Sequence, residues 1–143
     1  MADPQPVLSS AEITAYLDEV FPQQQGRFRI LDLGPMALSC EMAVTENDLR
    51  PGGTVSGPAM FTAADCAFYM ATLAMIGRQA LTVTTGCTIN FMRKPTPQNL
   101  RADARILKLG RSLSVGDVLL YSPGLDQPVA QASMTYSIPP QRA

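Results

Sequence analysis

The stretch "GGTVSGPAMFTAADCAFYMATLAMIGR", residues 52–78, decides the fold of this chain. Its pattern predicts one long apolar helix, with Ser56 as N-cap, an end near Ile76 and Gly77 as C-cap. A single charged residue, Asp65, lies in the middle of this helix. Burying an unpaired carboxylate costs on the order of several kcal/mol. The protein must therefore either pair this carboxylate or use it.

A helix that is apolar on every side must also be covered on every side. The flanking segments alternate between apolar and polar residues, which is typical of strands, and a curved antiparallel sheet could wrap around the helix. One sheet cannot surround the helix completely, so a second copy of the chain is expected to cover the rest of its surface. A transmembrane span is the alternative, because its length is close to the roughly 20 residues that a bilayer requires. The central Asp65 and the flanking strands disfavour it.

Turn residues and periodicity divide the rest of the chain into short elements. Ser9 and Glu12 form a capping box at the start of a first helix, which Pro22 ends. The turns between the last four strands are short, so these strands are predicted to form an antiparallel meander. The predicted order is a helix over 9–21, strands over 27–33 and 36–44, the long helix, and strands over 81–91, 100–109, 113–122 and 129–138.

Composition excludes several classes of protein. The net charge is −1 and no basic run occurs, so a nucleic-acid partner has little support. The chain has no histidine, which removes the Ser-His-Asp and Cys-His nucleophile systems. Three cysteines without a CxxC pair favour neither a disulfide framework nor a zinc site, and no metal is expected. The first residues show no signal peptide, so the cytoplasm is the expected compartment.

Several segments together carry a resemblance to a known family. They are "TVSGPAMFTAADCAFYMA" (54–71), "VTTGCTINFMRKP" (83–95), "LKLGRSLSVGDVLLYS" (107–122) and "PVAQASMTYSIP" (128–139). In combination, over roughly residues 25–138, they resemble the hot-dog fold acyl-CoA thioesterases of the PaaI type, in the hydroxybenzoyl-CoA thioesterase superfamily. The resemblance implies an α+β fold in one domain over 1–143, with the sheet wrapped around the helix. It also implies a homodimer with a continuous sheet and active sites at the interface, and dimers that pair further.

The helix entry departs from the family pattern at two positions. The family usually has His-Gly-Gly, and this chain has Ser56-Gly57-Pro58 with Arg50 where an Asn is frequent. The resemblance implies an acyl-CoA thioesterase that needs no metal or redox cofactor. The two departures leave a second hypothesis, an acyl-CoA-binding or sensing protein without turnover. A hot-dog hydratase or dehydratase is disfavoured because such enzymes generally pair a carboxylate with a histidine.

Thioester hydrolysis needs a polarised carbonyl and an activated water or nucleophile. The unpaired N–H groups at the helix start, with Gly57 allowing close approach, could stabilise an oxyanion. Asp65 could act as general base or nucleophile, or it could be structural and accept hydrogen bonds from Thr62, Thr84, Arg78 or another strand residue. Eight residues of helix span roughly 12 Å. Gly57 and Asp65 of one chain therefore cannot reach the same thioester, and the family's interface site would join them across two chains.

The remaining candidates are weaker. Thr84 matches a Ser or Thr that orients water in some family members, although a strand threonine is common anyway. Ser56 is a catalytic candidate by position, but no base is visible for it and capping is its simpler role. Turn cations are usually only solvated. The resemblance nevertheless implies contacts with the substrate or its coenzyme A from Arg50, Pro58, Asn90, Arg93, Lys94, Gly110, Arg111 and Ser112.

Overall fold

The computed structural model describes residues 4–140, which form one antiparallel sheet wrapped around one long helix. The strands are ordered β1-β2-β4-β5-β6-β3 across the sheet. This arrangement confirms the predicted α+β hot-dog fold. The elements are α1 (Ser10–Val20), β1 (Phe28–Gly34), β2 (Ala37–Met42), α2 (Gly57–Ile76), β3 (Val83–Phe91), β4 (Leu100–Leu109), β5 (Leu113–Tyr121) and β6 (Ala130–Ser137), with 3-10 turns at Pro22–Gln24 and Glu46–Asp48.

The long helix has the predicted ends and forms the centre of the core. Ser56 caps its start and Gly77, with φ of 93°, caps its end, a backbone conformation that glycine adopts without strain. Fourteen of its twenty residues are buried. The helix is long and apolar enough to cross a membrane, but 78% of its most apolar stretch is buried inside the protein. Packing against the sheet accounts for its apolar character.

Close packing of helix on sheet depends on a glycine in β5. A Cβ built on Gly116 would lie 2.0 Å from the Arg105 carbonyl oxygen and 2.7 Å from the Phe68 ring. No side chain fits there, so Gly116 lets the fully buried Phe68 of α2 rest directly on the strand. A buried hydrogen bond of 3.0 Å between the hydroxyls of Thr72 and Ser114 joins the same two elements. These contacts fix the position of α2 along the sheet.

The predicted meander is correct only for β4, β5 and β6. β3 pairs with β6 instead of β4, at the far edge of the sheet. The segment after β3 is a crossover rather than a hairpin turn, because it follows the ends of β6 and β5 before it reaches β4. The N–H of Met92 donates to the Val129 carbonyl at 2.8 Å, and the N–H of Thr96 donates to Ser122 Oγ at 2.8 Å. The short linker therefore does not imply adjacent strands.

The alternation predicted for the first strand after the helix is also broken. β3 begins at Val83, since Leu81 lies outside it and is 81% exposed. A β-bulge follows Thr84, so that Thr84 pairs with Tyr136 and the next paired residue is Gly86. The extra residue places Val83 on the face opposite to Cys87, Ile89 and Phe91, which face α2.

The N-terminal helix forms where it was predicted and packs against the core. Ser9 and Glu12 form the expected capping box, with N···O distances of 3.0 and 3.1 Å. Ile13 and Leu17 are buried and join the main core. The helix ends before Phe21, and this places its last residues beside the middle of α2.

Candidate active site

Asp65 accepts two short hydrogen bonds on one of its carboxylate oxygens. Thr84 Oγ1 donates to Asp65 Oδ1 at 2.6 Å, and the Tyr136 hydroxyl lies 2.7 Å from the same oxygen and 2.9 Å from the Asp65 carbonyl. The other oxygen, Oδ2, has no hydrogen-bond partner within residues 4–140. It is not fully buried. One oxygen of the carboxylate is therefore held and the other is open.

The strand register brings the two hydroxyl donors together. Thr84 of β3 and Tyr136 of β6 are directly paired, and their side chains lie on the face of the sheet that covers α2. Tyr136 is 3% exposed, and its ring packs against Phe68 and Tyr69 at centroid distances of 5.6 and 5.9 Å. The bulge immediately after Thr84 is of the kind that re-aims side chains near active sites.

A cavity of about 370 Å³ opens beside this carboxylate; we call it the Asp65 cavity. The end of α1 and the turn after it form one wall, and α2, β3 and β6 form the others. Its size falls within the range of small-molecule sites, and most of its wall is apolar or aromatic. The lining residues are Val20, Phe21, Gln23, Asp65, Cys66, Tyr69, Ala80, Thr82, Val83, Thr84 and Tyr136.

The start of α2 offers one open backbone donor. Ser56 Oγ accepts from the Ala59 N–H at 3.2 Å and the Ser56 carbonyl accepts from the Met60 N–H at 3.0 Å, so both of these donors are occupied. Pro58 has no N–H. The amide of Gly57 has no hydrogen-bond partner within residues 4–140. It is the single free donor of the first turn, at the positive end of the helix dipole.

A second cavity, of about 420 Å³, lies at this helix start; we call it the cation cavity. Three cationic residues line it together with Gly57: Arg50, Arg93 and Lys94. The Arg93 guanidinium is partly engaged, since it donates to the Pro128 carbonyl at 2.7 Å and to Gln127 Oε1. Arg50 and Lys94 are exposed. The cavity thus combines a backbone donor with a positive field, which suits an anionic ligand.

The two cavities share no lining residue. Gly57 and Asp65 lie on one continuous helix, eight residues or roughly 12 Å apart. A single chain therefore presents two separate sets of polar groups, with the open amide and cations in one and the carboxylate in the other.

Other predicted site residues lie outside both cavities. Pro58 is exposed at the second position of α2 and lines neither. Asn90 points to the outer face of the sheet, where its amide donates to Gln131 Oε1 at 3.0 Å. Gly110, Arg111 and Ser112 form the exposed β4–β5 turn, at the end of the sheet opposite to Lys94. Within one chain the structure does not join this turn with the cations of the cation cavity.

Ser56 and Cys66 have structural roles. The Ser56 hydroxyl is the N-cap of α2, as the capping hypothesis predicted. Burial, and secondarily the nearby Asp65, raise the pKa of the Cys66 thiol to about 12, so it stays protonated at neutral pH and is a poor nucleophile. No group of three or more acidic or cysteine side chains in the described part of the chain is arranged to hold a metal ion.

Tyr136 is the contact that the sequence did not reveal. Arg78, one of the expected partners of Asp65, instead pairs with Glu12 at 3.3 Å. Tyr136 appears in the sequence only as an aromatic residue of the last strand, and its approach to Asp65 follows from the β3–β6 pairing. Because the predicted meander placed β3 beside β4, it did not indicate that Tyr136 of β6 lies close to Asp65.

Comparison with known proteins identifies the family. The family model described as the thioesterase superfamily matches residues 52–129, a range that includes Gly57 and Asp65 of α2 and Thr84 of β3. The chain belongs to this superfamily. A solved structure from Silicibacter sp. TM1040, an inferred thioesterase, is 52% identical, superposes with a TM-score of 0.87, and the match covers 94% of each chain.

More distant superfamily structures share the fold. Zebrafish thioesterase superfamily member 2 is 22% identical with a TM-score of 0.80, over 92% of this chain and 99% of its own. A mutant of the phenylacetic acid degradation protein PaaI from Thermus thermophilus is 23% identical with a TM-score of 0.70, over 82% of this chain and 99% of its own. No protein of curated function matches the sequence. Membership of the superfamily supports a thioesterase activity in general.

Proposed function

We propose that the protein is an acyl-CoA thioesterase whose active site forms between two subunits. The observation that carries the proposal is the separation of the polar groups into two cavities on one helix. Among the described residues the cation cavity has no carboxylate, and the Asp65 cavity lacks the open amide and the positive field of the helix start; a thioester needs a strong carbonyl-polarising donor as well as a carboxylate. A partner chain that brings its cation cavity against the Asp65 cavity would complete the constellation, and two-fold symmetry would build two such sites per dimer.

The free edge of β3 supports this mode of pairing. Nine residues of β3 carry neither Lys nor Pro, and the edge opposite β6 is unpaired within residues 4–140. Exposed apolar side chains surround it: Val83, Phe91 and Met92. Such an edge is a template for another strand. The other sheet edge, β1, carries the exposed charged residues Arg29 and Asp32, which disfavour pairing with another strand. A second β3 would extend the sheet and cover the exposed side of α2.

The proposed reaction uses the groups of two chains. The acyl group lies in the Asp65 cavity of one subunit, and the coenzyme A tail extends over the cation cavity of its partner, where Arg50, Arg93 and Lys94 face the phosphates. The Gly57 N–H of the partner polarises the thioester carbonyl and stabilises the oxyanion. Asp65 either deprotonates an attacking water or attacks the carbonyl itself. In both routes the C–S bond breaks, the thiolate takes up a proton as free CoA, and water supplies the carboxylate oxygen.

Substrate profiling tests this function. Thiol release is measured with short, medium, long and aryl acyl-CoAs, for wild type beside Asp65→Asn. The proposal expects wild-type turnover on part of this panel and a loss of about 10²-fold or more in the folded variant, since charge and basicity are removed while the shape is kept. Turnover that survives Asp65→Asn would contradict the assigned role of the carboxylate.

Binding without turnover is the second candidate. It is favoured by the helix entry, where the Ser56 hydroxyl is occupied by capping and Arg50 stands in place of the frequent Asn. A wild-type protein that binds acyl-CoAs tightly in calorimetry, yet releases no thiol from any of them, would establish this candidate in place of the enzyme.

The cytoplasm is the compartment that we propose. All three cysteines are free thiols, and Cys40 and Cys66 are buried with no disulfide between them. Unpaired buried thiols suit a reducing compartment.

A further inference from the structure

Tyr136 is firmly held beside the carboxylate. It is 3% exposed, lies in a strand with β5 on one side and β3 on the other, and packs against two aromatic rings of α2. Its hydroxyl reaches Asp65 at two points, the Oδ1 atom at 2.7 Å and the main-chain carbonyl at 2.9 Å. Because the Tyr136 phenol contacts both the carboxylate and the main-chain carbonyl of Asp65, it fixes the Asp65 side chain relative to the Asp65 backbone.

The direction of these hydrogen bonds is settled by chemistry. A carboxylate and a carbonyl have no proton to give, so the phenol donates its single proton, which the two oxygens share, with the carboxylate oxygen the nearer. Burial, and next the charge of Asp65, raise the pKa of Tyr136 far above its ordinary value, which keeps the phenol protonated over the whole range of neutral pH. Tyr136 is therefore a permanent donor. Thr84 Oγ1 supplies the second donor to the same oxygen at 2.6 Å.

Two donors on Oδ1 make the two carboxylate oxygens unequal. Oδ1 accepts hydrogen bonds from Thr84 of β3 and Tyr136 of β6, so it is turned toward the sheet. Oδ2 has no partner within residues 4–140 and is open to the cavity. Rotation about the Cβ–Cγ bond would exchange the oxygens only by breaking both charge-assisted hydrogen bonds, which are the stronger kind.

We propose that Tyr136 is a positioning residue of the thioesterase reaction: with Thr84 it clamps Asp65 Oδ1 so that Oδ2 is the atom that meets the water or the thioester. This assignment deepens the proposed function and rests on it. It also explains how a chain without histidine orients the only carboxylate of α2. Tyr136 acts through Asp65 and touches no reacting atom, so its loss should change the chemical step and leave substrate binding nearly intact.

The test measures kcat and KM separately in matched variants. Tyr136→Phe keeps the ring and removes the donor; we expect kcat to fall about 10- to 100-fold with KM within about twofold, the scale of loss for a misplaced catalytic group. Thr84→Val should give a similar pattern, and Thr84→Ser, which keeps the hydroxyl, should restore most of kcat. Tyr121→Phe, which removes a phenol on the outer face of the sheet, is the control and should keep the wild-type values.

Each other result overturns the assignment in a recognisable way. Tyr136→Phe with wild-type kcat and only a lower melting temperature would make the contact purely structural. A raised KM with unchanged kcat would mean that Tyr136 contacts the substrate instead. If Tyr136→Phe does not fold, Thr84→Val decides, and wild-type kcat in that variant would refute the clamp. A wild-type protein that hydrolyses no acyl-CoA would overturn the proposed function and this assignment together, whereas the other results leave the function intact.

Discussion

Among the described residues 4–140, the amide of Gly57 is the only backbone donor left open in the first turn of α2, so one substitution can delete it. Gly57→Pro removes the N–H. Proline suits the first position of a helix, and because Pro58 follows it, circular dichroism must show that the variant keeps its fold. Removing one oxyanion donor typically lowers kcat by about 10²- to 10³-fold, and we expect a loss of this size here. The measurement is steady-state hydrolysis of the best acyl-CoA.

Gly57→Ala is the matched control for this prediction. It keeps the N–H and adds a Cβ that would lie 3.4 Å from the Phe91 ring, a tight but accommodated contact. A smaller loss than in Gly57→Pro is expected. Equal losses in the two variants would show that space at this position matters and that the N–H does not.

Asp65 also contributes to stability, because two hydroxyls depend on it. Asp65→Asn keeps a side-chain oxygen that Thr84 and Tyr136 can both reach, so the free energy of unfolding should change by less than about 1 kcal/mol. Asp65→Leu leaves the Thr84 hydroxyl without its acceptor and leaves Tyr136 only the main-chain carbonyl of residue 65, so it should cost about 1–3 kcal/mol. Urea denaturation at one fixed protein concentration compares the two variants. A leucine variant as stable as wild type would contradict the role of Asp65 as an acceptor.

The roles of single residues were predictable where these residues belong to one helix. Ser56, Gly57, Asp65 and Gly77 follow from local pattern, and the structure shows the predicted caps at both ends of α2. The partners of Asp65 were only partly predictable. The sequence suggests Thr84 as one of several hydrogen-bond donors to Asp65. It does not suggest Tyr136, because the approach of Tyr136 to Asp65 depends on which strands are neighbours.

Among the elements, α1 controls the size of the Asp65 cavity. Phe21, the residue that caps the end of α1, forms part of the cavity wall, so a smaller side chain there should enlarge the space for an acyl group. Phe21→Ala is expected to shift the ratio of kcat/KM values toward longer acyl-CoAs by about 10-fold or more, since each methylene in an apolar pocket contributes about 1–3 kcal/mol. The measurement is competition between medium and long acyl-CoAs.

Tyr16→Ala provides the comparison for the effect of Phe21. Tyr16 is a partly buried aromatic residue of the same helix that packs on the core and does not line the cavity. Its removal should lower stability without changing acyl preference. If both variants alter the preference equally, loosening of α1 rather than cavity size determines selectivity.

Strand alternation predicted the existence of β3 but not the direction of its side chains. The bulge after Thr84 inserts one residue, and every side chain beyond it changes face relative to a regular strand. The glycine at position 86 was the local hint, because an isolated glycine in a strand pattern often marks a bulge. The alternation of apolar and polar residues cannot distinguish a bulged strand from a regular one, because apolar residues stay at alternate positions before and after the bulge.

For the whole molecule, chain composition and the resemblance predicted the sheet around the helix, while strand order needed three-dimensional contacts. A short linker normally joins adjacent antiparallel strands. Here the residues between β3 and β4 are bound to Val129 and Ser122, the ends of two intervening strands, and this carries the chain across the sheet. The result leaves β3 at an edge, where a second subunit can reach it. The proposed interface site therefore depends on strand order, which no linear motif predicts.

Subunit complementation tests whether Gly57 and Asp65 act across the interface. Gly57→Pro and Asp65→Asn should each be nearly inactive as homodimers. In a heterodimer of the two, one site carries both changes and the other carries neither, because two-fold symmetry pairs each chain's Gly57 with its partner's Asp65. The variants are co-expressed with different affinity tags and the heterodimer is purified through both tags. Its activity should return to about half that of wild type.

The same experiment distinguishes a site within one chain. If each subunit used its own Gly57 and Asp65, every site of the heterodimer would contain one defect and the activity would stay as low as in the two homodimers. The roughly 12 Å that separates these residues along α2 makes that outcome incompatible with direct contact of both groups with one thioester. A heterodimer that remains inactive, while wild type tagged in the same way is active, would thus refute the interface site and require that either the Gly57 amide or the Asp65 carboxylate acts without touching the substrate.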